Sequence, residues 1–326
     1  MSIKYVSNPS LPIIKEGWAG NPMEGNSFLN ERSDQLDLLK FLTSRLHNPQ
    51  RKERKIDTLH AGFIYNDDFV DSDEDMIVWL GHASFFIRLG GVTFLTDPSY
   101  YSFPMLRDRL VPLPCEIEEF KYVDYLLISH MHHDHADTRS LRKIFKKNDK
   151  TQALIPLNAR NYVRFFTKKY QEAGWYQQYQ TKPDVEVYFL PSFHWSRMHL
   201  FDSNRTLWGS FIIRGNGKTI YFGGDTAWGM HFEEIAELFP DIDYALLPIG
   251  AYTPRAVVEC AHISPDEAVK AANILSAKHL IPMHYGTYRL GQEPIGDPYR
   301  QICKLEEDGE INGCLTCLDI GEELFI

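Results

Sequence analysis

Ser129-His130-Met131-His132-His133-Asp134-His135 follows directly on the apolar run Val123 to Ile128 and sets four metal-capable side chains in the spacing H-x-H-x-D-H. With the run as a strand and the cluster as the turn after it, His130 and His132 sit two apart and point their rings to one side. Asp134 and His135 fall on the turn, so one pair can serve one ion and the second pair its neighbour. His133 points away. Four residues do not complete two coordination shells, so the remaining donors have to come from elsewhere in the chain.

Three residues answer that requirement, each in a loop that follows an apolar strand, where side chains from separate strands converge at one sheet edge. His194 follows Val187 to Phe193, Asp225 follows Tyr221-Phe222-Gly223-Gly224, and His284 follows Ile281-Pro282-Met283. The set is then His130, His132 and His194 for one ion, and Asp134, His135 and His284 for the other, with the Asp225 carboxylate bridging them. Gly223-Gly224 lets backbone approach closely. Histidines with carboxylates suit zinc, and iron or manganese accepts the same mixture. Two ions sharing a water lower its pKa towards neutrality, which predicts a hydroxide nucleophile positioned by Asp134 and Asp225. His82 and Asp97, at strand ends, are expected to orient ligand rings through their other nitrogen.

Around the cluster, β signals alternate with helical ones. Ser84 to Leu89 and Val92 to Thr96 flank Gly90-Gly91 as a tight hairpin, and Leu207 to Ile213 meets Thr219 to Phe222 across Gly215-Asn216-Gly217. Thr138 to Lys147 reads as a helix capped by Asp137 or Thr138, and His231 to Phe239 as another. Ser264-Pro265-Asp266-Glu267 opens a third, with proline at its first position and a serine-to-glutamate capping box. The expectation is one α/β domain over 76–326, two sheets with helices outside. Residues 1–75 read as an arm packed on it, with Leu36, Leu39, Leu42 and Leu46 marking one amphipathic helix. The basic group Arg51 to Lys55 reads as a solvated helix end or loop.

At 326 residues, 44% hydrophobic and 24% charged, the composition is that of a globular domain with a sizeable core. A formal charge of -10 opposes non-specific nucleic-acid binding and strong attachment to anionic membranes. Five cysteines are too few and odd in number for a disulfide scaffold and favour a reducing compartment; Cys314-Leu-Thr-Cys317, lacking a second pair, reads as structural. With neither export signal nor spanning run, the expected location is cytoplasmic, with peripheral membrane contact left open.

The order H-x-H-x-D-H, then histidine, aspartate and histidine, resembles the metallo-β-lactamase fold hydrolases. Trp79-Leu80-Gly81-His82-Ala83, Thr96-Asp97-Pro98, His194-Trp195, Leu207-Trp208-Gly209-Ser210, Gly224-Asp225-Thr226, Pro248-Ile249-Gly250-Ala251-Tyr252-Thr253-Pro254-Arg255, His262 and His284-Tyr285-Gly286-Thr287 narrow the resemblance to the N-acylphosphatidylethanolamine-hydrolysing phospholipase D branch. The resemblance spans roughly Trp79 to Arg289. It implies an αββα sandwich, two zinc ions on the seven ligands above, and a phosphodiesterase that acts in lipid metabolism on an N-acylated phospholipid. It also implies that His262 lies near the substrate phosphate, as donor to it or to the leaving alcohol. Tyr285 stands where the branch carries tryptophan. The alternatives are a hydrolase of another ester, such as a sugar-phosphate lactone, and a non-catalytic metal-binding scaffold.

Overall fold

The computed structural model describes residues 2–29, 43–44, 48–59, 61–101 and 108–326. Two seven-stranded sheets carry the fold. The first runs Glu323–Phe325, Met76–Gly81, Ser84–Leu89, Val92–Thr96, Tyr125–Leu127, Gln152–Pro156, Tyr170–Ala173; the second runs Gln177–Gln178, Val185–Leu190, Ser210–Gly215, Lys218–Phe222, Tyr244–Pro248, His279–Met283, Cys314–Leu315. In both, three antiparallel pairings are followed by three parallel ones, so the two sheets share one plan without sharing sequence.

Strand periodicity of two explains the layers. Ile77, Trp79, Phe85, Ile87, Phe94, Leu127 and Leu154 of the first sheet join one buried cluster with Val187, Phe211, Ile213, Ile220 and Phe222 of the second. Phe85 meets Phe222 edge-on across the layers, centroids 6.4 Å apart. The alternate residues Met76, Val78, Leu80, Phe86, Leu95, Leu126 and Ile155 form a second cluster with Leu141, Ile144 and Phe145 of the helix Thr138–Lys147. Helices His231–Leu238 and Pro265–Ile274 cover the outer face of the second sheet. The architecture is therefore an αββα sandwich, as expected.

Local signals act where they were read. Asp137 caps the helix Thr138–Lys147 through the backbone N–H groups of Arg139 and Ser140, and the Ser264/Glu267 capping box is formed. The Gly90-Gly91 hairpin pairs Leu89 with Val92. Two strand boundaries move: the strand expected over Val123 to Ile128 is Tyr125–Leu127, and the one expected from Leu207 begins at Ser210. The N–H groups of Leu207 and Gly209 are taken by the carbonyls of Leu157 and Ser129 in the first sheet's loops, leaving none for a ladder.

Among residues 2–71, Ile3–Val6, Asn21–Glu24 and Ser27–Phe28 form a small sheet. Met23 and Phe28 of this sheet and Leu11 of the connection between its first two strands belong to the main cluster, and the Ile14 N–H donates to the Tyr176 carbonyl. Arg51–Ile56 is a helix with no buried residue. The expected helix through Leu36, Leu39, Leu42 and Leu46 lies outside the described residues. Among the described residues, no helix is long and apolar enough to cross a membrane.

Candidate metal centre

Six strand ends at one edge of the sandwich deliver the chemistry: His82 after Met76–Gly81, Asp97 after Val92–Thr96, the 130–135 cluster after Tyr125–Leu127, His194 after Val185–Leu190, Asp225 after Lys218–Phe222, and His284 after His279–Met283. Gly224, at φ +56°, makes one of these approaches possible, because a Cβ there would stand 2.8 Å from the Ser129 Cβ. Gly250 does the same beside the last ligand, where a Cβ would meet the His284 carbonyl oxygen at 2.1 Å.

The seven candidate ligands and His262 all meet. His132 Nδ1 lies 2.8 Å from His130 Nε2 and 3.2 Å from His194 Nε2. Asp134 Oδ2 lies 3.9 Å from both His135 Nε2 and His284 Nε2. Asp225 sits between the clusters: its Oδ2 is 3.2 Å from His135 Nε2, 3.7 Å from His194 Nε2 and 4.0 Å from His130 Nε2, while its Oδ1 is 3.1 Å from His284 Nε2. His262 Nδ1 is 3.9 Å from Asp225 Oδ2. His133 is exposed and takes no part.

Hydrogen bonds behind the rings set their tautomers. The His194 Nδ1–H donates to the Ala261 carbonyl at 2.8 Å, which turns the Nε2 lone pair inward. Asp97 accepts from the Ser129 N–H (2.7 Å), the Ser129 hydroxyl (2.5 Å) and the His135 Nδ1–H (2.7 Å). With its proton given to Asp97, the Ser129 oxygen accepts from His130 Nδ1 at 2.9 Å. One carboxylate thus aims a nitrogen lone pair into each cluster. Burial raises the Asp97 carboxyl above its ordinary value and the donors offset only part of that; with three donors converging on it, the acceptor-only carboxylate is nonetheless the form this geometry accommodates.

Burial holds His130 and His194 well below the usual histidine range, and His132 down to about 3, so these rings stay neutral, the form that ligates. Burial opposes charge on Asp134 and Asp225 too, yet His82 and His135 hold the first, and His135 and His284 the second, well below the ordinary carboxylate value. His135 goes the other way, far up, because Asp225, Asp97 and Asp134 outweigh its burial, so without a metal Nε2 carries a proton; a cation held by those carboxylates would displace that proton and free the lone pair. Ionised carboxylates with inward lone pairs make a cation-seeking pocket. His135 Nε2, His284 Nε2 and Asp225 Oδ1 are buried with no hydrogen-bond partner among the described residues. The donor set therefore fits metal ions: His130, His132 and His194 form one group of atoms close enough to share an ion, and Asp134, His135 and His284 a second that also takes in His82.

His82 is more intimate than a turn residue. It takes φ +58°, packs its ring against that of His284 with centroids 4.0 Å apart and planes tilted by 38°, and places Nε2 3.2 Å from Asp134 Oδ2. Sequence reading missed Trp195 as a wall of the site, 4.4 Å edge-on from His132 with Arg197 above it at 4.9 Å. It also missed Glu293, whose carboxylate accepts from Ala251 N (2.7 Å), Thr253 N (3.2 Å) and the Thr253 hydroxyl (2.6 Å) and so clamps the Pro248 to Arg255 loop. Only the His194-Trp195 pair carried a local signal for either. Arg255 reaches back to the His262 carbonyl at 2.9 Å and forms a two-pronged bond to Glu267 at 2.8 and 2.9 Å. Tyr285 stacks on Trp79 at 5.1 Å. The centre opens to solvent at half-buried His132 and where Asp134 and His262 retain 21% and 17% of their side-chain exposure, against 2% or less for His130, His135, His194, Asp225 and His284.

A family model described as "Beta-lactamase superfamily domain" matches residues 93–285, the stretch that holds the candidate donors. The chain is 30% identical to N-acyl-phosphatidylethanolamine-hydrolyzing phospholipase D 1 of Caenorhabditis elegans, over 94% of this chain and 88% of that one. It is 32% identical to a metal-dependent hydrolase of Pyrococcus furiosus, over 65% of this chain and 85% of that one. The metallo hydrolase Igni18 of Ignicoccus hospitalis shares the fold, with a TM-score of 0.59 at 20% identity, over 77% of this chain and 98% of that one. The chain belongs to the β-lactamase superfamily, as a metal-dependent hydrolase related to the N-acylphosphatidylethanolamine-hydrolysing phospholipases D.

Proposed function

We propose that the protein is a zinc-dependent phosphodiesterase of phospholipase D type that cleaves N-acylphosphatidylethanolamine or a closely related phospholipid. The observation that carries this reading is Asp225, a buried carboxylate whose two oxygens lie between two clusters of inward-facing lone pairs, with His262 alongside and solvent reaching the centre at His132, Asp134 and His262. Relatedness to an enzyme named for this substrate over nearly the whole chain supports the lipid. Two divalent ions held by the donor set would supply a water of lowered pKa and draw charge from the phosphoryl oxygen.

The chain's own groups do the rest. Asp225 and Asp134 hold the attacking water in line with phosphorus by accepting its hydrogen bonds. Water oxygen bonds to phosphorus as the bond from phosphorus to the ethanolamine oxygen breaks, giving phosphatidic acid and an N-acylethanolamine. His262, beside Asp225 on the open side and kept neutral by burial, which brings it down to about 4, donates an N–H hydrogen bond to a phosphoryl oxygen or to the departing alcohol oxygen, and the proton released by the water ends on that alcohol. Asp97 and Ser129 keep His135 and His130 in the tautomers that leave their inward nitrogens free.

The test is a comparison of substrates with metal content measured on the same preparation, purified without chelator. Phosphatidic acid release from N-acylated phospholipid, by protein that holds zinc, is the expected result. Turnover of phosphorylated lactones without phosphatidic acid overturns the lipid reading. Substantially less than one zinc, iron or manganese per chain overturns the metal-dependent one.

A further inference from the structure

The loop that leaves the metal centre at His194 runs through Trp195 and Arg197 to a tip at His199-Leu200-Phe201 and returns at Thr206. Leu200 and Phe201 are 70% and 83% exposed, although the loop around them is fastened at many points. Buried Asp202 accepts from Met198 N at 3.2 Å, from His199 N at 2.8 Å and from the Tyr162 hydroxyl at 2.6 Å. Ser196 and Asn204 pair across the neck, the Asn204 N–H donating to the Ser196 carbonyl at 2.7 Å and the Ser196 N–H to Asn204 Oδ1 at 3.2 Å. The Ser196 hydroxyl accepts from Met131 N at 3.0 Å, which ties the neck to the H-x-H-x-D-H turn. Two large apolar side chains are held in water by a braced frame whose base is the metal centre.

The surroundings name a partner. Tyr162, which bonds Asp202 and stands 5.7 Å from the His199 ring, brings the segment 158–169 alongside. That segment holds Arg160, Arg164, Lys168 and Lys169 with no acidic residue, in a chain of net charge -10, and all four are exposed, as is Phe165 at 73%. Arg205, exposed on the returning limb of the loop, adds a further cation. An apolar tip rimmed by cations, continuous with the site, matches an acyl-chain interior beneath a phosphate layer. N-acylation removes the ammonium charge of an ethanolamine phospholipid, so such a headgroup is a net anion.

We propose that Leu200 and Phe201 insert into the lipid surface, with Arg164, Lys168 and Arg205 against the headgroups, and that this docking presents the metal centre to lipid still in the bilayer. The proposal rests on the phospholipid reading of the site. It is tested without turnover, by co-sedimentation of the full chain with phosphatidylcholine vesicles, with and without phosphatidylglycerol. Wild-type protein should partition onto both, more strongly onto the anionic one. The double variant L200S/F201S should lose about tenfold or more on both, whereas R164E/R205E should lose mainly the anionic preference. Equal partitioning of wild type and L200S/F201S overturns the proposal, and so does a loss of self-association in L200S/F201S with no vesicle binding by wild type, which would make the tip a protein contact. Hydrolysis of a dispersed short-chain substrate should be the same in L200S/F201S and wild type; if neither hydrolyses it while vesicle binding still depends on the tip, the catalytic reading fails and the docking stands.

Discussion

Asp97→Asn is a nearly isosteric change with a consequence that follows from hydrogen-bond geometry. Asp97 Oδ1 faces the backbone N–H of Ser129 at 2.7 Å, and a backbone donor cannot reverse, so the amide oxygen has to stay on that side. The new NH2 group then faces the Ser129 hydroxyl and His135 Nδ1, both of which now donate to Asp97 Oδ2. Each can turn into an acceptor. His135 does so by moving its proton to Nε2, the atom that faces Asp225; Ser129 does so by donating to His130 Nδ1, which sends the His130 proton to Nε2, beside His132. One inward lone pair is lost from each cluster. Loss of such ligand-orienting partners costs about 10- to 100-fold in metal affinity, about 1.4–2.8 kcal/mol per site. Because every bond is re-formed in the reversed sense, the metal-free protein should lose only about 1 kcal/mol of stability. Ser129→Ala separates the two routes: it removes the relay to His130 and leaves Asp97 on His135, so it should weaken one site alone. The assay is chelator competition with metal analysis, beside denaturant unfolding of metal-free protein. Wild-type affinity at both sites in Asp97→Asn, or equal weakening of both in Ser129→Ala, refutes the relay.

Asp225→Asn places a donor between lone pairs that need a cation, so turnover should fall at least about a hundredfold and bound metal should drop; near-normal rates would remove the carboxylate from its bridging position. His262→Ala should lower kcat about 10²- to 10⁴-fold with metal content unchanged, and loss of metal would make it structural instead. Asp57 ties the segment after the helix Arg51–Ile56 to the start of the helix Asp297–Glu307 through Arg300 (2.6 Å) and the N-cap Gly296 N (3.0 Å), and the Arg300 bond lowers its pKa to about 2. A depressed carboxylate stabilises the fold above its ordinary value near 3.8 and loses that contribution as pH falls from about 4 to about 2. With Arg300 half-exposed, about 1 kcal/mol is the fair size. Asp57→Asn should therefore be destabilising by that amount in urea unfolding at pH 7 and by roughly half of it at pH 3; an equal loss at both would rule out the linkage.

How far the residues disclose themselves varies with the range of the interaction. Asp137 caps its helix and Ser264 and Glu267 close their box through atoms no more than three residues apart, so the local pattern is sufficient. The hairpin at Gly90-Gly91 is equally local. The ligand candidates were legible one by one as polar residues following apolar strands, because a strand that must be buried can release a reactive side chain only where it ends. Other features depend on distant neighbours. Leu207 and Gly209 look like strand residues until the carbonyls of Leu157 and Ser129 claim their N–H groups. Glu293 reads as an acid in a Gly- and Pro-rich loop and becomes a clamp only when Ala251 and Thr253 arrive beside it. Leu200 and Phe201 belong to an apolar-looking stretch, and only the bonds made by Asp202 and Asn204 turn them outward.

By itself, the sequence determined the layered α/β architecture, the six strand-end positions and the kinds of donor available, since strand period, turn glycines and ligand spacing are properties of short stretches. The tertiary structure alone decided that one carboxylate, Asp97, sets the tautomer of a histidine in each cluster, that Glu293 clamps the Pro248 to Arg255 loop, and that the loop beyond His194 carries its apolar tip into water. Those outcomes depend on where two independently encoded sheets bring their edges together, and no window of the chain contains both edges.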